Sequence, residues 1–137
     1  MTKTHNIHET LGQHILLDVW ETDFEKLNDS GFIKQIMLEA AEVSGATVIT
    51  STFQEFPVQG LSGVVVLSES HISVHTYPEH GYASFDIYTC GEHVDPRLAC
   101  EYIVNKLGTR RYYEREFVRG KAETGIIEAR NKAEVCA

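Results

Sequence analysis

Short runs in which apolar and polar positions alternate fill most of the chain, and two stretches follow a longer period. His14 to Trp20, with Ile15-Leu16-Leu17-Asp18-Val19-Trp20, predicts a first strand, largely buried. Asp23 to Asp29 is polar and turn-like. Asp29 or Ser30 is suited to cap a helix running to about Ser44. There Phe32, Ile36 and Ala40, with Ile33, Met37 and Ala41, form one apolar stripe. Gly45 ends that helix. Ala46 to Phe53, rich in Val, Ile and Thr, predicts a second strand, and Pro57 with Gly60 marks a turn. Gly63-Val64-Val65-Val66-Leu67 is continuously apolar and reads as a central strand buried on both faces. Ile72 to Thr76 and Ala83 to Tyr88 then alternate around Pro78 and Gly81, the pattern of a hairpin. Asp95 with Pro96 opens a second helix, with Leu98, Ala99, Tyr102, Ile103 and Leu107 on one face and Gly108 as its stop. Residues 110–118 alternate charged and aromatic side chains as an edge strand would. In the charged tail, Gly125-Ile126-Ile127-Glu128 reads as a short ordered piece, and the final ten residues are expected to fray.

The order β-α-β-β-β-β-α-β predicts an α+β fold: a two-layer sandwich with a mostly antiparallel sheet and two helices on one face. With 137 residues, 42% of them hydrophobic and 23% charged, the chain is expected to be a single domain spanning 1–137 with one core. Its second sheet face needs a cover, and a homodimer is the simplest source. The net charge of −8, without a basic stripe, argues against nucleic acid as a partner. No apolar run approaches the roughly 18 residues of a membrane span, and the polar start Met-Thr-Lys-Thr-His-Asn lacks a signal-peptide core. Three cysteines without Cys-x-x-Cys spacing fit a reducing cytoplasm better than a disulfide framework or a zinc site. Cys100 is assigned to the core and Cys136 to no function. Residues 1–10 read as a mobile arm whose His5 and His8 are solvated.

Reactive side chains concentrate between residues 67 and 91: Glu69, Ser70, His71, His75, Glu79, His80, Asp86 and Cys90. A hydrolase triad of Ser70, His75 and Asp86 lacks the Gly-x-Ser-x-Gly turn. A metal site is not expected either, because on a regular strand His71 and His75 lie about 13 Å apart at ~3.3 Å per residue. As isolated residues, His75 and Cys90 read as core side chains with satisfied partners.

As a set, however, Glu69-Ser70-His71, His75-Thr76, Pro78-Glu79, Gly81-Tyr82-Ala83 and Asp86 through Thr89-Cys90-Gly91 resemble the motifs of the bacterial S-adenosylmethionine decarboxylase proenzyme family. The resemblance extends from about Gly12 to Gly120. It takes in Glu25-Lys26-Leu27-Asn28-Asp29, Leu38-Glu39-Ala40-Ala41, Gly45-Ala46-Thr47-Val48, Phe56, Gly60, Ser62 through Val66, and Val94-Asp95-Pro96. It implies that the Glu69–Ser70 bond breaks itself. The Ser70 hydroxyl attacks the Glu69 carbonyl, and the ester then eliminates and hydrolyses to a pyruvoyl group at residue 70, leaving a β chain 1–69 and an α chain 70–137. Decarboxylation alpha to an amine needs an electron sink that no ordinary side chain supplies. A pyruvoyl ketone does so through a Schiff base with S-adenosylmethionine, on the route to spermidine.

By the same resemblance, Ser62 and His75 are the processing pair, with His75 as the base. Cys90 is the donor that returns a proton to the substrate α-carbon; a thiol, mostly protonated at neutral pH, suits that task. Phe56 stacks on the adenine, Glu79 accepts from the ribose hydroxyls, and the site lies between two protomers. Tyr77 stands where the family commonly has Trp, which alters the substrate pocket. Two alternatives remain beside this reading: a pyruvoyl-dependent decarboxylase of arginine or ornithine, and a non-processing regulatory homologue.

Overall fold

The computed structural model describes residues 12–120 and 128–135, the last eight as backbone only. Strand β1 (Gly12–Trp20) leads through a one-turn helix α1 (Phe24–Leu27) into α2 (Ser30–Ser44). Then follow β2 (Val48–Glu55), β3 (Leu61–Leu67), β4 (Ser70–Tyr77), a 3₁₀ turn at Pro78–His80, and β5 (Tyr82–Thr89). Helix α3 (Pro96–Leu107), β6 (Arg111–Arg119) and β7 (Glu128–Val135) complete the order. Every pairing is antiparallel, in one sheet of order β2-β3-β4-β5-β1-β6-β7. The expected α+β sandwich is therefore present.

Local chemistry explains the helix limits. Asp29 caps α2 by accepting from the Phe32 N–H at 3.0 Å, and Asp95 caps α3 by accepting from Arg97 at 3.0 Å; such caps stabilise a helix by about 1 kcal/mol each. Gly45 and Gly108 end the two helices at φ 93° and 72°, where a side chain would strain the backbone. The predicted stripe of α2 is buried through Ile33, Ile36, Met37, Ala40 and Ala41. It meets Ile15, Leu17, Val19, Ile72, Val74, Phe85 and Ile87 from alternate positions of the sheet. Burying each of these larger side chains contributes roughly 1.5–3 kcal/mol. Cys100 is buried in the same core, as expected.

Several expectations need correction. Asp23 to Asp29 is not only a turn: Asp23 accepts from the Lys26 N–H and caps the start of α1. Strand β3 is buried on one face, not two: Val65 is buried, whereas Val66 is 36% exposed on the face away from the helices. Likewise β1 buries Ile15, Leu17 and Val19 and leaves Leu16 exposed. Leu98 on α3 is exposed, and Val104 takes its place in the core. Strand β6 is interior, between β1 and β7. Its charges fit there because the nearly buried Glu116 accepts from Arg97 of α3 at 2.6 Å and from Gln13 of β1 at 3.1 Å. Residues 128–135, within the segment expected to fray, pair with β6 as β7. The expectations for residues 1–10, for 125–127 and for Cys136 lie outside the described residues.

Candidate active site

Strands β3 and β4 are joined by a two-residue turn, Ser68-Glu69, across the pair Leu67–Ser70. Glu69 takes φ +64°, in the left-handed region. The Ser68 N–H donates to the Thr47 carbonyl at 3.0 Å, and the Ser70 hydroxyl donates to the Ser68 carbonyl at 3.2 Å. Cys90, just past the end of β5, donates its thiol to the Glu69 carbonyl at 3.1 Å. Glu69, Ser70 and Cys90 are thus brought together, 21 positions apart in sequence at the widest.

A second pair forms on the helix-free face of the sheet. Ser62 and His75 are register partners on β3 and β4, and Ser62 Oγ shares a 2.7 Å hydrogen bond with His75 Nδ1. They line a shallow depression of about 330 Å³ with Thr52, Gln54, Val64 and Ser73. Ser70 and His75 are not brought together in the chain: they stand five positions apart on β4, roughly 16 Å at ~3.3 Å per residue. Nor does Asp86 join either, since it accepts from Ser73 at 3.4 Å and lies 3.8 Å from His14 Nε2.

Phe56 opens the loop between β2 and β3, exposed, with its N–H donating to the Gly60 carbonyl at 2.9 Å. Tyr77, also exposed, stacks on Tyr82 with ring centroids 5.5 Å apart, and Tyr82 in turn faces Trp20 at 4.4 Å. Burial, reinforced by a hydrogen bond from its hydroxyl to Asp18, pushes Tyr82 up to about 12. Glu79, in the 3₁₀ turn, has its carboxylate 3.9 Å from His80 Nε2.

Two groups escaped the sequence reading. Asn28 reaches across to accept from the Gly60 N–H at 2.9 Å, which anchors the Phe56 loop. On the helix-free face, His14, His71 and Tyr88 form an aromatic cluster with centroids 5.2–6.3 Å apart, and the Arg119 guanidinium sits over Tyr88. Burial lowers the His14 pKa, against the opposing pull of Asp86, and leaves its Nε2 without a hydrogen-bond partner. The strand alternation could have put these rings on one face; only the strand order makes them neighbours. Among the described residues, no group of three or more His, Cys, Asp or Glu could hold a metal ion, and no helix is long and apolar enough to cross a membrane.

Comparison with known proteins gives this geometry a context. The family model described as S-adenosylmethionine decarboxylase matches residues 13–120. An S-adenosylmethionine decarboxylase proenzyme of Brevibacillus brevis is 46% identical over 125 residues, covering 91% of this chain and 94% of its own. One of Symbiobacterium thermophilum is 51% identical over 121 residues, covering 88% and 89%. The crystal structure of the adenosylmethionine decarboxylase of Aquifex aeolicus superposes with a TM-score of 0.79 at 37% identity, covering 85% of this chain and 96% of that one. A Trypanosoma brucei AdoMetDC monomer shares the fold at 13% identity, with a TM-score of 0.58 over 77% of this chain and 45% of its own. Matched over most of its length by sequence and by fold, the chain belongs to the S-adenosylmethionine decarboxylase family.

Proposed function

We propose that this protein is a self-processing S-adenosylmethionine decarboxylase whose pyruvoyl group arises from Ser70. The observation that carries the reading is the Cys90 thiol donating to the Glu69 carbonyl at an exposed turn. Ser70 Oγ attacks that carbonyl carbon and the C–N bond gives way. The acyl group passes to Oγ as an ester, and the hydroxyl proton ends on the freed nitrogen. A donor already aimed at the carbonyl oxygen stabilises the negative charge that develops there. Loss of the Ser70 α-proton then releases Glu69 as a carboxylate, and water displaces the nitrogen as ammonia, leaving a ketone at residue 70. Chains 1–69 and 70–137 stay folded together.

The ketone supplies the electron sink for decarboxylation alpha to an amine. Cys90, beside residue 70, returns a proton to the substrate α-carbon. Phe56 and Tyr77 offer exposed aromatic faces for an adenine, and Glu79 offers a carboxylate to ribose hydroxyls. The net charge of −8 favours a sulfonium cation. Arginine or ornithine would use neither aromatic face, so S-adenosylmethionine is the better substrate. A non-processing homologue would have no use for a thiol on the Glu69 carbonyl. A cytoplasmic location suits such a biosynthetic enzyme.

Within one chain His75 is too far from Ser70 to remove its α-proton. We assign that proton to the Ser62–His75 pair of a second copy, docked through the helix-free sheet face, so that each site draws on both protomers. Intact-protein mass spectrometry and carbon dioxide release test the proposal. Wild type should yield fragments 1–69 and 70–137, the latter blocked at its N-terminus, and should decarboxylate S-adenosylmethionine in preference to arginine and ornithine. Ser70→Ala should remain one 137-residue chain without activity; activity in that variant would sink the mechanism.

A further inference from the structure

Among the described residues only two non-glycine positions have positive φ, Glu21 and Glu69, and the second supplies the carbonyl attacked in the reaction proposed above. We propose that the left-handed backbone of Glu69 is itself part of the processing machinery: it destabilises the intact bond, and cleavage releases it. The inference rests on Glu69–Ser70 being the processed bond.

An L-residue in the left-handed region brings Cβ close to its own carbonyl, a clash that glycine lacks. The turn makes the position more demanding. Ser68 is not left-handed and Glu69 is, the φ pattern of a type II turn, whose second central position favours glycine. Two-residue hairpin loops ordinarily use the primed turns, whose twist matches the strands, with positive φ already at the first central residue. This loop satisfies neither preference.

The neighbours prevent relaxation. Val65–Ile72 and Val66–His71 pair immediately below the turn, with Val65 and Ile72 fully buried. Ser68 is tied to Thr47, Ser70 to Ser68, and the Glu69 carbonyl to Cys90. The Glu69 side chain is exposed and has no hydrogen-bond or ion-pair partner among the described residues, so nothing at the carboxylate offsets the backbone strain. An N-to-O acyl shift exchanges a resonance-stabilised amide for an ester and is uphill for a relaxed peptide. Raising the amide's free energy moves that equilibrium toward the ester. Once the acyl group leaves the nitrogen and the ester eliminates, Glu69 is a chain end free to rotate.

Replacing Glu69 by Ala and by Gly separates the backbone from the carboxylate. Both remove the charge, and only Gly removes the strain. Cleavage of the full chain is followed by mass spectrometry at timed intervals after cell-free synthesis. We expect Glu69→Gly to cleave at least fivefold more slowly than Glu69→Ala. In the uncleavable Ser70→Ala background, the Gly variant should melt a few degrees above the Ala variant, which also verifies folding. If wild type cleaves between Glu69 and Ser70 but the Gly variant is as fast as the Ala variant, or both slow equally, the strain inference is overturned and the processing reading stands. A wild type that never cleaves there overturns both.

Discussion

Two titrating side chains on the helix-free face tie pH to stability in opposite directions. Tyr82 keeps its proton to about pH 12 because it is partly buried and its hydroxyl donates to Asp18. In the unfolded chain it loses that proton near 10. Between those values the folded state holds more protons, so this contribution is intact below pH 10 and falls as pH rises toward 12. Urea midpoints from pH 9 to 11 should fall less for Tyr82→Phe than for wild type; equal slopes would contradict the assignment. His14 acts on the acid side. Burial first, then Arg119 and His71, lower its pKa below 6.5 against the opposing effect of Asp86, so the unfolded chain takes up the proton first. Stability is therefore lost as pH falls through and below 6.5, and His14→Gln should flatten the midpoints between pH 7 and 5. An unchanged acid limb would mean that His14 is already solvated in the folded state.

The loop between β2 and β3 depends on a contact from another element. Gly60 sits at φ +91°, where an added Cβ would lie 2.9 Å from the Thr76 carbonyl oxygen. Asn28 accepts its N–H, and the buried Thr76 hydroxyl accepts the next one, from Leu61 at 3.0 Å. The two bonds fix the loop that carries Phe56. Asn28→Ala should leave cleavage complete and kcat within about twofold while raising KM for S-adenosylmethionine several-fold; Asn28→Asp keeps the acceptor and should restore KM. A uniform loss of KM, kcat and thermal stability that Asp does not repair would reduce Asn28 to a structural role. Pro57 and Gly60 made this loop legible as a turn. Its anchor was not, because α1 has four residues, too few for a helical period to register, and the Asn28–Gly60 contact spans 32 positions.

For the whole molecule, the separation of Ser70–Cys90 from Ser62–His75 leads to a complementation test. Neither a Ser70→Ala chain nor a His75→Ala chain should cleave alone. In a mixed dimer, one composite site combines the intact Ser70 of the His75→Ala chain with the intact His75 of the Ser70→Ala chain. Co-expression should therefore cleave the His75→Ala chain, to at most half the protein. No cleavage in the mixture, with dimers present by sedimentation, would place the base within the same chain. The motif set pointed to an enzyme and the uncovered sheet face to a homodimer; the structure adds that β4 sets Ser70 and His75 five positions apart along one strand.

The sequence by itself determined most of the elements, because period, caps and glycines act between neighbours in the chain: the stripe of α2, the Asp95 cap of α3 and the Pro78–Gly81 turn all stand where the residues put them. Its motifs also identified the family. Tertiary structure decided which strands meet, since pairing is governed by contacts distant in sequence. Pairing of β7 along the side of β6 away from β1 made β6 interior, with Glu116 paired to Arg97, although its alternation alone suited an edge. The antiparallel register set Ser62 against His75, and the fold carried Cys90 to the Glu69 carbonyl. The left-handed turn at Glu69 was equally beyond local reading, for glutamate has no preference for it: the ladders on either side hold it there.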